Sequence, residues 1–268
     1  MLLKLHVLHF NHQLRPEADH EQNFVKSLAE HYKIPFHYKT AKHLKPGQPG
    51  LQETARKWRI KESIKMLKKV EADCIATGHH ADDQTETLLL KWLRGTHISN
   101  LQGMLWKAPP FIRPLLNCRK KELKQYLQSN NFSWMEDSTN LSSTYLRNRV
   151  RMELIPLLNE LTREGLDSRI SDLNEQSSLF REWLDKEYTK WSVASKSAES
   201  KYDCKISLDD LEKVNRLLQE EIIYKFITTN TNIELSYKNL RNIFELLISE
   251  NKHWEYTLSE EWKLVNSG

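Results

Sequence analysis

The stretch Cys74-Ile75-Ala76-Thr77-Gly78-His79-His80-Ala81-Asp82-Asp83-Gln84-Thr85-Glu86-Thr87-Leu88-Leu89-Leu90 decides the reading of this chain. Its first four residues form a short apolar run of the kind a buried strand presents. Leu88, Leu89, Trp92 and Leu93 then fall at helical spacing. A polar cluster therefore sits where a predicted strand ends and a predicted helix begins, the edge at which open α/β sheets bind ligands. A single aspartate there would be an ordinary first-turn carboxylate favoured by the helix dipole. The group His79, His80, Asp82, Asp83 and Glu86 taken together points to a site instead. Asp83 and Glu86 are three apart and share a helix face. Carboxylates so placed can hold Mg²⁺ through oxygen ligands or grip the ammonium group of a substrate. Zinc is a poor fit, because no second Cys/His group accompanies the histidines.

Working outward, the N-terminal half alternates. Leu3 to Phe10 reads as a strand, Glu17 to Tyr32 as a helix, and Pro35 to Tyr38 as a second strand. After the Pro/Gly loop at 45–50 comes a long basic helix from Leu51 to Val70. Phe111 to Leu116 is a further extended piece, and Lys120 to Ser129 another helix. This rhythm predicts βαβ units and a parallel sheet. From about Val150 the pattern becomes helical: Glu153–Leu161, Ile170–Tyr188, Leu208–Ile227 and Tyr237–Ser249, with a Ser/Lys/Ala-rich loop at Ser192–Ser200 and a short hairpin from Trp254 to Val265. The joint between the two parts falls near Arg151.

The 268 residues fit roughly two domains of about 150 residues each. A mean hydropathy of −0.67 and 28% charged residues fit a soluble chain, and no apolar run is long enough to cross a bilayer. The N-terminus, broken by Lys4, His6 and His9, does not read as a signal peptide. Net charge +4 and a pI near 8.8 permit nucleic-acid binding without requiring it. Cys74, Cys118 and Cys204 form no CxxC pair, and a reducing cytoplasm suits them best.

Three further groups stand out: His9-Phe10-Asn11-His12-Gln13-Leu14-Arg15 at a predicted strand end, Trp134-Met135-Glu136-Asp137-Ser138-Thr139-Asn140 in a turn-rich linker, and Arg147-Asn148-Arg149-Val150-Arg151 at the joint. If the last is helical, Arg147 and Arg151 share a face and Arg149 points elsewhere. A charge run is usually a solvated face, yet arginines at a domain joint suit phosphate recognition.

In their order along the chain these groups resemble the tRNA(Ile)-lysidine synthase family, part of the PP-loop ATP pyrophosphatase superfamily. The matching residues include Leu51-Gln52-Glu53-Thr54-Ala55-Arg56, Gly78 through Thr87, Leu93-Arg94-Gly95-Thr96, Leu101-Gln102-Gly103-Met104 and Arg113-Pro114-Leu115-Leu116, and they cover roughly the first 160 residues. The resemblance implies an α/β fold: a Rossmann-like parallel sheet of the adenine nucleotide alpha-hydrolase type, lacking its first strand, followed by a helical domain. It implies a nucleotide-binding, catalytic part over 1–150 and a helical tRNA-contacting part over 151–268. The activity implied is an ATP-dependent ligase that joins free lysine to C2 of the wobble cytidine of tRNA(Ile) through an adenylated cytidine, with Mg²⁺ as cofactor, in the cytoplasm, with no membrane attachment and with room for a homodimer. By motif position, Asp83, Glu86 and Asp82 are the catalytic candidates, with Asp83 also a candidate Mg²⁺ ligand. His9, Gly78, His79 and Arg147 are candidates for the nucleotide, and Arg56, Arg59, Arg149 and Arg151 for tRNA. A sibling tRNA thiolase working through paired cysteines is disfavoured by the missing CxxC.

The family's Ser-Gly-Gly-x-Asp-Ser phosphate loop is absent: the seven glycines stand at 47, 50, 78, 95, 103, 165 and 268, and no two are adjacent. Gln13 stands where the family usually has glycine, and Ser138 where proline is common. The expectation is an N-terminally incomplete chain, with a gap in the sheet between the segments Leu3–Phe10 and Cys74–Thr77. The alternative reading is a catalytically inactive, tRNA-binding remnant.

Overall fold

The computed structural model describes residues 3–14, 16–136, 146–163, 165–194, 205–231, 233 and 235–266. Arg15, residues 137–140 of the turn-rich linker, residues 195–200 of the Ser/Lys/Ala-rich loop and Cys204 lie outside them. The chain forms two compact units, Met1–Ala81 with Leu105–Ser138, and Asp82–Met104 with Thr139–Gly268.

The first unit is α/β. Strand β1 (Val7–Asn11), helix α1 (Ala18–His31) and strand β2 (Phe36–Thr40) make one crossover unit. The two strands run parallel, in register from Val7↔Phe36 to Asn11↔Thr40. Parallel neighbours need such a helical connection. Asp19 and Glu21 lie in the first turn of α1 and His31 in its last, each on the side the helix dipole favours. Gln13 has φ 52°, the left-handed region that suits glycine, and donates its N–H to Asn11 Oδ1 at 2.9 Å. Helix α2 (Leu51–Lys69) leads to β3 (Ile75–Ala76). Later come β4 (Lys107–Ala108), β5 (Phe111–Ile112) and helix α4 (Lys120–Ser129). Strand β3 pairs parallel with β5, and β4 antiparallel with β5.

Two expectations need correction here. The stretch Cys74–Thr77 is not a buried strand: the ladder takes only Ile75 and Ala76, and Cys74 and Ala76 are exposed. An antiparallel strand, β4, was not expected at all, because Lys107-Ala108 is too short to show a period. β1 and β3 lie in separate sheets, so they do not close the expected gap by pairing with each other.

The second unit is helical. It holds most of α3 (Ala81–Leu93), a 3₁₀ turn (Ile98–Asn100), α5 (Leu146–Arg149), a π-helical turn (Val150–Leu154) and α6 (Ile155–Leu161). It continues through α7 (Leu166–Ala194), α8 (Leu208–Glu212), α9 (Arg216–Thr231) and α10 (Tyr237–Leu247), and ends in the hairpin β6 (Trp254–Thr257) and β7 (Lys263–Asn266). Its core packs Leu184, Leu218, Ile222, Ile227, Leu240, Ile243 and Phe244 from α7, α9 and α10.

The helix expected at Glu153–Leu161 begins earlier, with a change of ladder. Pro156 has no N–H to give to the residue four before it. The bonding shifts, and the Ile155 N–H reaches the Val150 carbonyl, five back. The helix expected over Leu208–Ile227 is two helices, because Asn215 caps the second through Oδ1, accepting from the Leu218 N–H at 3.0 Å. Ser192 to Ala194, expected in a loop, finish α7. Among the described residues no helix is long and apolar enough to cross a membrane.

Candidate active site

The carboxylates of the decisive stretch lie at the start of α3. Two arginines from residues 146–154 meet them there. Glu86 is buried, with its side chain 1% exposed. Its Oε2 accepts from Arg147 Nε at 2.7 Å and Arg151 Nη2 at 3.0 Å, and its Oε1 accepts from Arg151 Nε at 2.5 Å. Asp83 Oδ1 accepts from Arg147 Nη2 at 3.1 Å and lies 4.0 Å from Arg151 Nη2. Arg147 and Arg151 are four residues apart and share a face, as their spacing predicts. The π turn that carries Arg151 widens the helix locally, a feature that often marks functional positions. The hydrogen bond to Glu86 holds the Arg151 guanidinium above its ordinary pKa; burial opposes this, and the charges of Glu86, Asp83 and Asp82 add to it. Arg149 points elsewhere, donating from Nε and Nη2 to exposed Glu153 at 2.9–3.1 Å.

A second set of contacts fixes the rotation of α3. The Gln84 side-chain amide pairs with the backbone of Met104, donating to its carbonyl at 2.7 Å and accepting from its N–H at 2.5 Å. The adjacent Gly103 N–H donates to Asn174 Oδ1 on α7 at 2.7 Å. A Cβ at Gly103 would sit 2.6 Å from Gln84 Oε1 and 2.7 Å from Asn174 Oδ1, so any side chain here would displace these two hydrogen-bonded amide oxygens. Farther along, buried His97 bonds Glu220 Oε2 through Nε2 at 2.7 Å, and Glu220 Oε1 accepts from Arg216 Nε at 2.7 Å. Sequence reasoning missed Gln84, Gly103, His97 and Glu220. For Gln84 a signal existed, its place between Asp83 and Glu86, but its partner is a backbone group that no pattern marks.

The remaining sequence candidates belong to the first unit. His9 lies on β1, where burial lowers its pKa against the opposing charge of Glu21. Gly78 is exposed, and a Cβ there would meet nothing within 4 Å. His79 Nδ1 is 2.9 Å from Thr77 Oγ1, which orients its ring. Arg56 and Arg59 lie one turn apart on α2; Arg56 is 62% exposed, 3.9 Å from Glu53. For Mg²⁺ the fit is poor: among the described residues no group of three or more His, Cys, Asp or Glu side chains could hold a metal ion, and a guanidinium stands against Asp83.

A family model described as a PP-loop domain matches residues 1–158. The tRNA(Ile)-lysidine synthase of Enterococcus faecalis is 31% identical over 99% of this chain and 58% of its own length. Those of Nostoc sp. and Petrotoga mobilis are 28% and 31% identical, over 93% and 78% of this chain and 76% and 67% of theirs. The chain thus spans little more than half the length of the Enterococcus relative. In fold it is similar to the U34-tRNA thiolase NcsA of Methanococcus maripaludis, with a TM-score of 0.52 at 16% identity over 65% of this chain and 60% of that one. With the family model covering residues 1–158 of 268, the chain belongs to the PP-loop family and, by these relatives, to the tRNA(Ile)-lysidine synthases within it.

Proposed function

We propose that the protein takes part in ATP-dependent joining of free lysine to C2 of the wobble cytidine of tRNA(Ile), in the cytoplasm. In this reading the cytidine oxygen attacks the α-phosphorus of ATP and pyrophosphate leaves. The lysine side-chain amine, having lost its proton, then attacks C2, and AMP departs with the oxygen. The observation that carries the reading is the paired-carboxylate and paired-arginine lattice at the start of α3. Glu86 takes three N–H bonds and acts as the strut that orients both guanidiniums. Asp83, which accepts from Arg147 and has a side chain 13% exposed, is the residue we assign to meet an ammonium group. A fixed carboxylate orients the amine and lowers the entropic cost of attack. Residues 1–150 are proposed to carry the nucleotide and the chemistry, and 151–268 to contact tRNA, with Arg56, Arg59, Arg149 and Arg151 on the RNA side and His9, Gly78, His79 and Arg147 toward the nucleotide. Mg²⁺ would ride on the ATP phosphates, and a homodimer is compatible with this scheme.

The test uses protein purified from its native locus, incubated with tRNA, ATP, Mg²⁺ and labelled lysine. The expected result is ATP-dependent label in a nucleoside heavier than cytidine by one lysine residue. Binding of tRNA with no label transferred would overturn the ligase reading in favour of a tRNA-binding remnant.

A further inference from the structure

Residues 97–104 follow α3 and are gripped by side chains from three helices of the second unit. At the start, His97 bonds buried Glu220 of α9 through Nε2 at 2.7 Å and Ser99 Oγ through Nδ1 at 2.6 Å. At the end, two residues of α7 hold on: Asn174 Oδ1 accepts from the Gly103 N–H at 2.7 Å, and Ser178 Oγ accepts from Gln102 Nε2 at 3.3 Å. Gln84 of α3 pairs with the Met104 backbone. Between these grips stands Lys91, also on α3. Its Nζ donates to the Asn100 carbonyl at 2.9 Å and to the Gln102 carbonyl at 2.5 Å. Among the described residues no carboxylate pairs with it, and burial pushes its pKa below the ordinary lysine value.

A lysine this far from water usually meets a carboxylate or extends its head to the solvent. Here the charge is directed at two backbone carbonyls, and bonds from an ionised donor are roughly twice as strong as neutral ones. Such an ammonium fixes the path of the backbone it holds. Gln84 and Lys91 are seven apart, so they lie on one face of α3. That face is roughly a third of a turn from the one bearing Asp83 and Glu86. A roll of α3 about its axis therefore moves the gripped face and the carboxylate face together. Gln84 alone would hold α3 at one end of the segment and leave room for such a roll. We propose that Lys91 is a positioning residue for the reaction: it locks residues 97–104 as a strap between α7 and α3, so that α7 sets the rotation of α3 and with it the place of Asp83 and Glu86.

The role in the reaction rests on the functional reading above; the strap itself is tested without it, by amide hydrogen exchange of the full chain. Lys91→Met keeps the stem and removes the donors. The amides of residues 85–90 are expected to exchange at least about tenfold faster in this variant, while those of α10 stay as in wild type. Lys186→Met, at an exposed position of α7, should change neither. Asn174→Ala removes the hold of α7 on Gly103 and should speed the same α3 amides, so it decides the matter if Lys91→Met does not fold. In the lysine-transfer assay, Lys91→Met is expected to raise KM for lysine about tenfold and to leave KM for tRNA near wild type. A lysine that merely adds stability would speed exchange in α3 and α10 alike; that result, unchanged exchange at 85–90, or an unchanged KM for lysine in an active protein overturns the proposal. Local exchange of the expected kind in a wild-type and variant pair that transfers no lysine keeps the strap and sinks the ligase reading instead.

Discussion

Two arginine groups of similar composition have opposite surroundings. At residues 146–154, every arginine meets a carboxylate, and Arg147 and Arg151 converge on buried Glu86. Arg59 on α2 and Arg113 just after β5 have no carboxylate partner among the described residues, burial and then the charge of Arg56 lower the pKa of both, and Arg56 itself lies 3.9 Å from Glu53. A paired guanidinium is committed: it shapes the helix start and fixes the carboxylates it holds. The difference separates arginines that fix a carboxylate from arginines that do not, which the residue type alone does not show.

The largest expected effect tests the paired side. Glu86→Ala leaves two guanidiniums facing each other at the start of α3. It should cost about 2–3 kcal/mol in urea unfolding, below the ~3–5 kcal/mol for breaking a fully buried pair, because water reaches the arginines. A loss under about 0.5 kcal/mol, the size of an exposed pair, would show the lattice to be surface decoration. Asp83→Asn sharpens the division of labour within the lattice. Lysine transfer should fall about 100-fold or more while tRNA affinity stays near wild type; normal transfer in steady-state assays would remove Asp83 from the chemistry.

Smaller effects follow. Gln84→Ala deletes both hydrogen bonds to Met104 and should cost about 1–2 kcal/mol in the same unfolding assay. Gln84→Glu keeps the acceptor for the Met104 N–H but sets a carboxylate oxygen against the Met104 carbonyl, so it should recover none of that loss. Acid should weaken the first unit. Burial lowers the pKa of His9, and burial with the charges of His6 and Lys69 lowers that of His37, both from 6.5. The unfolded chain therefore takes up protons that the folded one refuses. The contribution is complete above that ordinary value and is lost as pH falls below it. The urea midpoint should drop between pH 7.5 and pH 5.5 by less in a His9→Gln, His37→Gln double variant, and an equal drop would refute the assignment (the two pH values bracket about pH 6.5). At the small end, Arg149→Ala removes an exposed pair and should leave the unfolding midpoint unchanged.

Much of the fold was legible because it depends on local periodicity. The α1, α2, α4 and α10 helices show apolar or charged patterns over about three or more turns, and the terminal hairpin has short alternating runs. The places that misread were those where a distant partner decides. Strand β3 is two residues long because its ladder ends with β5, and Leu208–Ile227 breaks because the Asn215 side chain caps a new helix. In the candidate site, the Asp83 and Glu86 pair was visible from spacing, as was the shared face of Arg147 and Arg151. Their meeting was not, since 61 positions separate Glu86 from Arg147.

By itself the sequence determined the class of fold, the family and the residue types at the head of α3, because strand and helix periods and short ordered motifs are local properties. Only the tertiary structure decided which charges neutralise one another. That depends on which side chains packing brings within hydrogen-bond distance, and it leaves Arg113 with a buried N–H and no acceptor while Glu86 takes three donors.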